Sequence, residues 1–189
     1  MLVKEIKLHD MKNLLTFLAL ALVLNCTKTE RIEVVKEFDG PQIKNAVAVI
    51  HPIGDSDISG TINFDKTKNG TKITAEITGL SEGEHGFHIH QFGDCSAADG
   101  SSAGGHFNPD DMQHNSRDAE KRHVGDMGNL ASEGEESTTT LSYVDNHIFL
   151  EEIIGRGIII HADEDDLTSQ PSGNAGSRIA CGVIGITQN

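Results

Sequence analysis

The chain has no tryptophan and a single tyrosine, and aromatic residues make up 4% of its 189 positions. So few rings give no support to an aromatic partner-binding surface. Cations are scarce too: 15 lysines and arginines stand against 29 aspartates and glutamates, a formal charge of −14 at pH 7. That balance argues against nucleic acid as a partner and bears on solubility rather than activity. The sustained apolar run from Leu14 to Leu24 is too short to span a bilayer comfortably as a helix. No internal repeat or low-complexity tract is present, and the length fits one domain with a sizeable core plus short appendages.

Histidine is what the chain has in quantity, ten of them. Six stand with an aspartate and an arginine in the order His88-x-His90, His106, His114, His123-x-x-Asp126, His161 and Arg178. Residues two apart on a strand project to one face, so His88 and His90 can ligate a single ion from a rigid platform. His85 has the opposite parity and reads as a structural histidine. His106 follows two glycines in Gly104-Gly105-His106-Phe107-Asn108-Pro109, where backbone can approach closely. His161 ends the apolar run Ile158-Ile159-Ile160. The imidazoles of His88, His90, His106 and His161 form a nitrogen-rich set that suits copper(II). His106, His114, His123 and Asp126 suit tetrahedral zinc. His106 serves in both sets, because an imidazole that has lost both nitrogen protons offers one donor to each of two metals.

The body of the chain alternates apolar and polar residues. Candidate strands run over 45–51, 57–64, 71–79, 84–90, 126–132, 138–144, 156–161 and 179–186, rich in Ile, Val and Thr. Lys68-Asn69-Gly70 predicts a hairpin with a primed turn centred on Asn-Gly. No helix of ordinary length is demanded. The pattern predicts an all-β fold, an eight-stranded antiparallel Greek-key sandwich or barrel with two long functional loops, 91–125 and 162–178. Phe87, Phe92 and Phe107 are expected in the core behind those loops.

Taken in order, the segments Gly86-Phe87-His88-Ile89-His90-Gln91-Phe92-Gly93-Asp94, Gly105-His106-Phe107-Asn108-Pro109, Arg122-His123-Val124-Gly125-Asp126 and Gly173-Asn174-Ala175-Gly176-Ser177-Arg178 through Gly185 resemble the copper/zinc superoxide dismutase family. The likeness runs from about Asn45 to Gln188. It implies dismutation of superoxide to dioxygen and hydrogen peroxide by copper cycling, with zinc supporting the bridging His106. It also implies that Arg178 attracts the anion, and that Asp165 accepts hydrogen bonds from His88 and His114. The stretch between His161 and Arg178 holds no lysine, so guidance by that loop is in doubt, and Lys121 or Arg122 are candidates for it. A membrane-tethered copper carrier is the alternative reading. Such carriers typically lack part of the copper site or the arginine, whereas all are present here.

Met11-Lys12-Asn13 before the apolar run gives the charged start and short core of a secretory signal. Asn25-Cys26 then ends it in a pattern similar to a bacterial lipoprotein signal, with Cys26 as the lipidated first mature residue. Asn25 is larger than the small residue usual there, and ordinary secretion or an uncleaved anchor is the alternative. The expected organisation is a signal at 1–25, a tether at 27–44, and the catalytic domain at 45–189. The protein is expected in the periplasm or cell envelope, anchored to membrane, with a homodimer possible. With Cys26 in the anchor, Cys95 and Cys181 remain as a pair, and the resemblance implies a disulfide tying the first long loop to the last strand. Two buried free thiols are the alternative.

Overall fold

The computed structural model describes residues 42–188. Eight strands carry the fold: β1 Asn45–Pro52, β2 Ser59–Thr67, β3 Gly70–Thr78, β4 Glu82–His90, β5 Asp126–Glu133, β6 Thr138–Asp145, β7 Gly157–His161 and β8 Arg178–Ile186. They form one antiparallel sheet in the order β5-β4-β7-β8-β1-β2-β3-β6. The two end strands, β5 and β6, come alongside each other, so the sheet curls into a nearly closed barrel. The connections from β3 to β4 and from β6 to β7 cross over neighbouring strands, the Greek-key arrangement. Among the described residues helix is limited to a 3-10 turn, Ser101–Ala103, and one short helix, α1 Leu150–Ile153.

Side-chain periodicity explains the strands. In β3, Thr71, Ile73, Ala75 and Ile77 are buried while Lys72, Glu76 and Thr78 are exposed, the period-two pattern of a sheet with one wet face. β4 and β7 depart from it: His85 to His90 and all of β7 are buried. Their inner face packs Phe87, Ile89, Ile158 and Ile160 into the core. Their outer face, which carries His88, His90 and His161, is covered by the two long loops, 91–125 and 162–177. His88, His90 and His161 therefore sit between barrel wall and loops.

Two expectations are corrected. The β2–β3 hairpin forms, but Thr67 pairs with Gly70, so its corner residues are Lys68 and Asn69, neither with positive φ. Gly70 takes φ +124° in the strand instead, where a Cβ would lie 2.1 Å from the Asp145 carbonyl oxygen. Contact with the neighbouring β6 end, rather than a primed turn, is what requires glycine. Phe92 is 58% exposed, unlike the buried Phe87 and Phe107, because it lies just past β4 on the outer surface above Gly104. The signal at 1–25, Cys26 and most of the tether lie outside the described residues. At the tether's end, Ile43 packs against the core and the Lys44 carbonyl accepts a bond from the Lys66 amide.

Candidate metal centre

Four imidazoles converge on the outer face of β4 and β7. His88 and His90 come from alternate positions of β4, and His161 from the end of β7. His106 reaches them through a bridge between its backbone and His90. Each ring has one nitrogen committed. His88 Nε2 donates to Asp165 Oδ2 at 2.8 Å, His90 Nδ1 to the Gly104 carbonyl at 2.9 Å, and His161 Nδ1 to the Gly176 carbonyl at 3.3 Å. The remaining nitrogens, His88 Nδ1, His90 Nε2, His106 Nε2 and His161 Nε2, are buried without a hydrogen-bond partner. These donor atoms lie within 4.8 Å of one another. Four inward lone pairs with no donor among them are a cation site by their chemistry. Burial, reinforced by the neighbouring His106, lowers His88 to about 3 and His90 to about 2. Burial likewise lowers His161 to about 4. The rings are therefore neutral and able to ligate at neutral pH.

The second group shares His106. Its Nδ1, with those of His114 and His123, lies 2.8, 2.9 and 3.1 Å from one oxygen, Oδ1 of Asp126. The far nitrogens of His114 and His123 are bonded to Asp165 Oδ1 and to the Met112 carbonyl. With those far nitrogens donating, a neutral His114 or His123 would turn a lone pair toward a carboxylate oxygen, so the arrangement calls for a positive charge there, a proton or a metal ion. Spacings near 3 Å approach the roughly 3.3 Å edge of a tetrahedron with bonds of roughly 2.0 Å. Burial alone would lower His114, but the Asp126 and Asp165 carboxylates outweigh it and raise the ring to about 9. Asp126 feels burial in the opposite direction, and its three histidine contacts hold it well below the usual carboxylate range. The donor sets fit copper and zinc respectively.

Asp165 joins the groups, since its two oxygens take His88 and His114 separately. Its own backbone is held by Asn129, whose carboxamide accepts from the Asp165 amide at 2.8 Å and donates to its carbonyl at 2.9 Å. Gly173, at φ +67°, lets the second loop pass close: a Cβ there would come within 2.7 Å of His114 Nε2. Arg178 is half-buried beside the four-imidazole group, donating to the Gly100 and Gly104 carbonyls at 2.5 and 2.6 Å. It shares the Gly104 carbonyl with His90.

Every ligand candidate in the sequence thus enters one of the two groups. His85 does not, and bonds the His161 carbonyl at 2.9 Å and Ser81 instead. His51 is exposed on β1, and His147 lies beyond β6. Arg122 is corrected: it is buried, paired through two 2.7 Å bonds with Asp145, and it donates to the carbonyls of His123, Val124 and Asp126. It is structural, which leaves exposed Lys121 as the remaining candidate for guidance. Asn129 was missed because an amide on a strand carries no signature. Cys95 and Cys181 are joined in a disulfide, with Cα atoms 5.9 Å apart.

Fold and site together define a β-barrel metalloprotein with two adjacent metal groups sharing one imidazole. A sequence profile of copper/zinc superoxide dismutase matches residues 58–184. An extracellular Cu-Zn superoxide dismutase of Brugia pahangi is 44% identical over 154 residues, spanning 75% of this chain and 76% of that one. A Cu-Zn superoxide dismutase of Onchocerca volvulus is 46% identical over 156 residues, spanning 75% and 96%. The chain belongs to the copper/zinc superoxide dismutase family. It is an oxidoreductase that acts on superoxide with copper and zinc as cofactors.

Proposed function

We propose that His88, His90, His106 and His161 hold copper, that His106, His114, His123 and Asp126 hold zinc, and that Arg178 draws superoxide to the copper side. The observation that carries the reading is His106, whose two ring nitrogens belong one to each group. Bound copper supplies one-electron exchange with the substrate, and bound zinc supplies a fixed positive charge beside the shared imidazole. The net reaction converts two superoxides and two protons to dioxygen and hydrogen peroxide. His106 Nε2, facing the four-imidazole group, is the atom positioned to take up a proton and pass it to the reduced substrate. The carbonyls of Gly100 and Gly104 fix the Arg178 guanidinium, so its remaining N–H groups meet the anion with little reorganisation. Asp165 orients one ring in each group, which keeps both lone pairs aimed inward.

The test is superoxide decay by the chain loaded with copper and zinc, with a chelator silencing free copper. Decay should be fast, and slower by about tenfold or more in Arg178→Ala. If the loaded chain decays superoxide no faster than chelated buffer, the copper-carrier reading replaces the enzymatic one.

The protein further acts outside the cytoplasm, protecting the cell envelope. The disulfide suits an oxidising compartment, and residues 1–25 followed by Cys26 suit export and lipid anchoring of the domain at 45–189 through the tether at 27–44. A mature N-terminal peptide with an unmodified Cys26 would rule the anchor out. A homodimer is supported by the exposed apolar side chains of Val49 on β1 and Val183 on β8, which are neighbouring strands of the sheet. Sedimentation should show two copies, and one in Val183→Glu; a monomeric unaltered chain would refute the dimer.

A further inference from the structure

The second long loop holds His114 by more than its ring. Gln170 Oε1 accepts from the His114 amide at 2.8 Å, and Gln170 Nε2 donates to the His114 carbonyl at 2.9 Å. One carboxamide thereby satisfies both backbone polar groups of a buried residue 56 positions away. Among the described residues no other group bonds the backbone of His114. The clamp sits on a knotted base. Asp166 accepts from the amides of Thr168 and Ser169 and from the Asn174 side chain. The Gly173 amide donates to the Ser169 carbonyl, and the Asp166 amide to the Gly173 carbonyl. Asp165, which takes the His114 ring, immediately precedes this base. One short, internally braced segment therefore fixes ring and backbone of the same residue.

We propose that Gln170 is a positioning residue for the zinc group, setting how long zinc is retained by holding the His114 backbone against the second loop. The proposal rests on the reading of His114 as a zinc ligand. A ligand whose ring is aimed but whose backbone swings free loses its place each time the first loop moves. That loop is polar, with little apolar packing of its own around His114. The four-imidazole group reaches the second loop through Asp165 and His161, not Gln170, so zinc should respond to loss of the clamp while copper does not.

The experiment follows zinc release from the full chain, loaded with copper and zinc, into a colorimetric chelator. Gln170→Ala should release zinc about 10- to 100-fold faster with copper content unchanged. Gln170→Glu keeps the acceptor for the amide but loses the donor to the carbonyl, and should fall between. Cobalt(II) placed in the zinc group should show altered d–d bands in Gln170→Ala. Zinc release at the unaltered rate in Gln170→Ala overturns the clamp, as does parallel loss of both metals with a lowered melting temperature, the mark of general loosening. His114→Ala separates the two ideas. Weak zinc there beside tight zinc in Gln170→Ala condemns the clamp alone, whereas tight zinc in His114→Ala removes His114 from the ligand set and the proposal with it.

Discussion

His114 and His90 are both buried imidazoles, yet they are opposite acids. His90 has a carbonyl on one nitrogen and only other imidazoles and Arg178 around it, and burial lowers it to about 2. His114 sits between two carboxylates, which outweigh the same burial and raise it to about 9. The consequence for the chain stripped of metal follows by linkage. His88, His90 and His161 refuse protons that the unfolded chain accepts below the usual 6.5, so their contribution falls as pH drops through that value. His114 works in reverse. Its contribution is full below 6.5 and is lost as pH rises through about 9. The two slopes cancel at roughly pH 7, where the unfolded and folded chains bind equal numbers of protons. Melting temperatures of the chelator-treated protein should therefore peak near neutrality and fall on both sides. A monotonic rise from pH 5 to 9 would show that His114 carries no extra proton.

At the scale of elements, the barrel seam is the weak line, since β5 and β6 end the sheet order. Arg122 closes it with its guanidinium: one nitrogen takes the Asp126 carbonyl on β5, the other the Asp145 carboxylate on β6. Arg117 adds a second tie from the first loop, its guanidinium 4.5 Å from the centre of the Tyr143 ring on β6. Asp145→Ala would leave the Arg122 charge buried and unpaired, and should destabilise the protein by about 3–5 kcal/mol in urea unfolding. Asp145→Asn keeps an acceptor but loses the charge and should lose less; equal losses would mean that the charge pairing carries the whole effect and the retained acceptor contributes nothing. Arg122 also marks where sequence stops being legible. All eight strands were readable to within about three residues at their ends, because alternation is local. Of the two histidine groups, His88 and His90 were legible from their strand spacing, whereas His106, His114 and His123 come from a loop with no such period. Burial of Arg122, exposure of Phe92 and the carboxamide grips of Asn129 and Gln170 depend on partners brought together by folding. Each is an ordinary residue in an ordinary context until its neighbour, 23 positions away for Asp145 and 56 for His114, arrives.

At the scale of the whole molecule, the covalent tie between Cys95 and Cys181 spans 86 residues and runs from the first long loop to β8. That interval includes β5, β6, β7, His161 and all four residues of the His106–Asp126 group, though not His88 and His90, so the unfolded chain is constrained over more than half of the described domain. Chain-entropy reasoning for a closed loop of that length gives about 4–5 kcal/mol. The tie also has a local role. Cys181 packs with Ile159 and Ala103, and Ala103 stands beside Gly104, whose carbonyl orients both His90 and Arg178. Replacing both cysteines by serine should therefore lower the melting temperature by roughly 10–20 °C, taking roughly 2–4 °C per kcal/mol for a domain of this size. It should also slow superoxide decay at 25 °C by loosening the acceptors of Arg178. The two effects are separable: a large stability loss with an unchanged rate would confine the disulfide to the unfolded state, and a shift of only a few degrees would refute its entropic role.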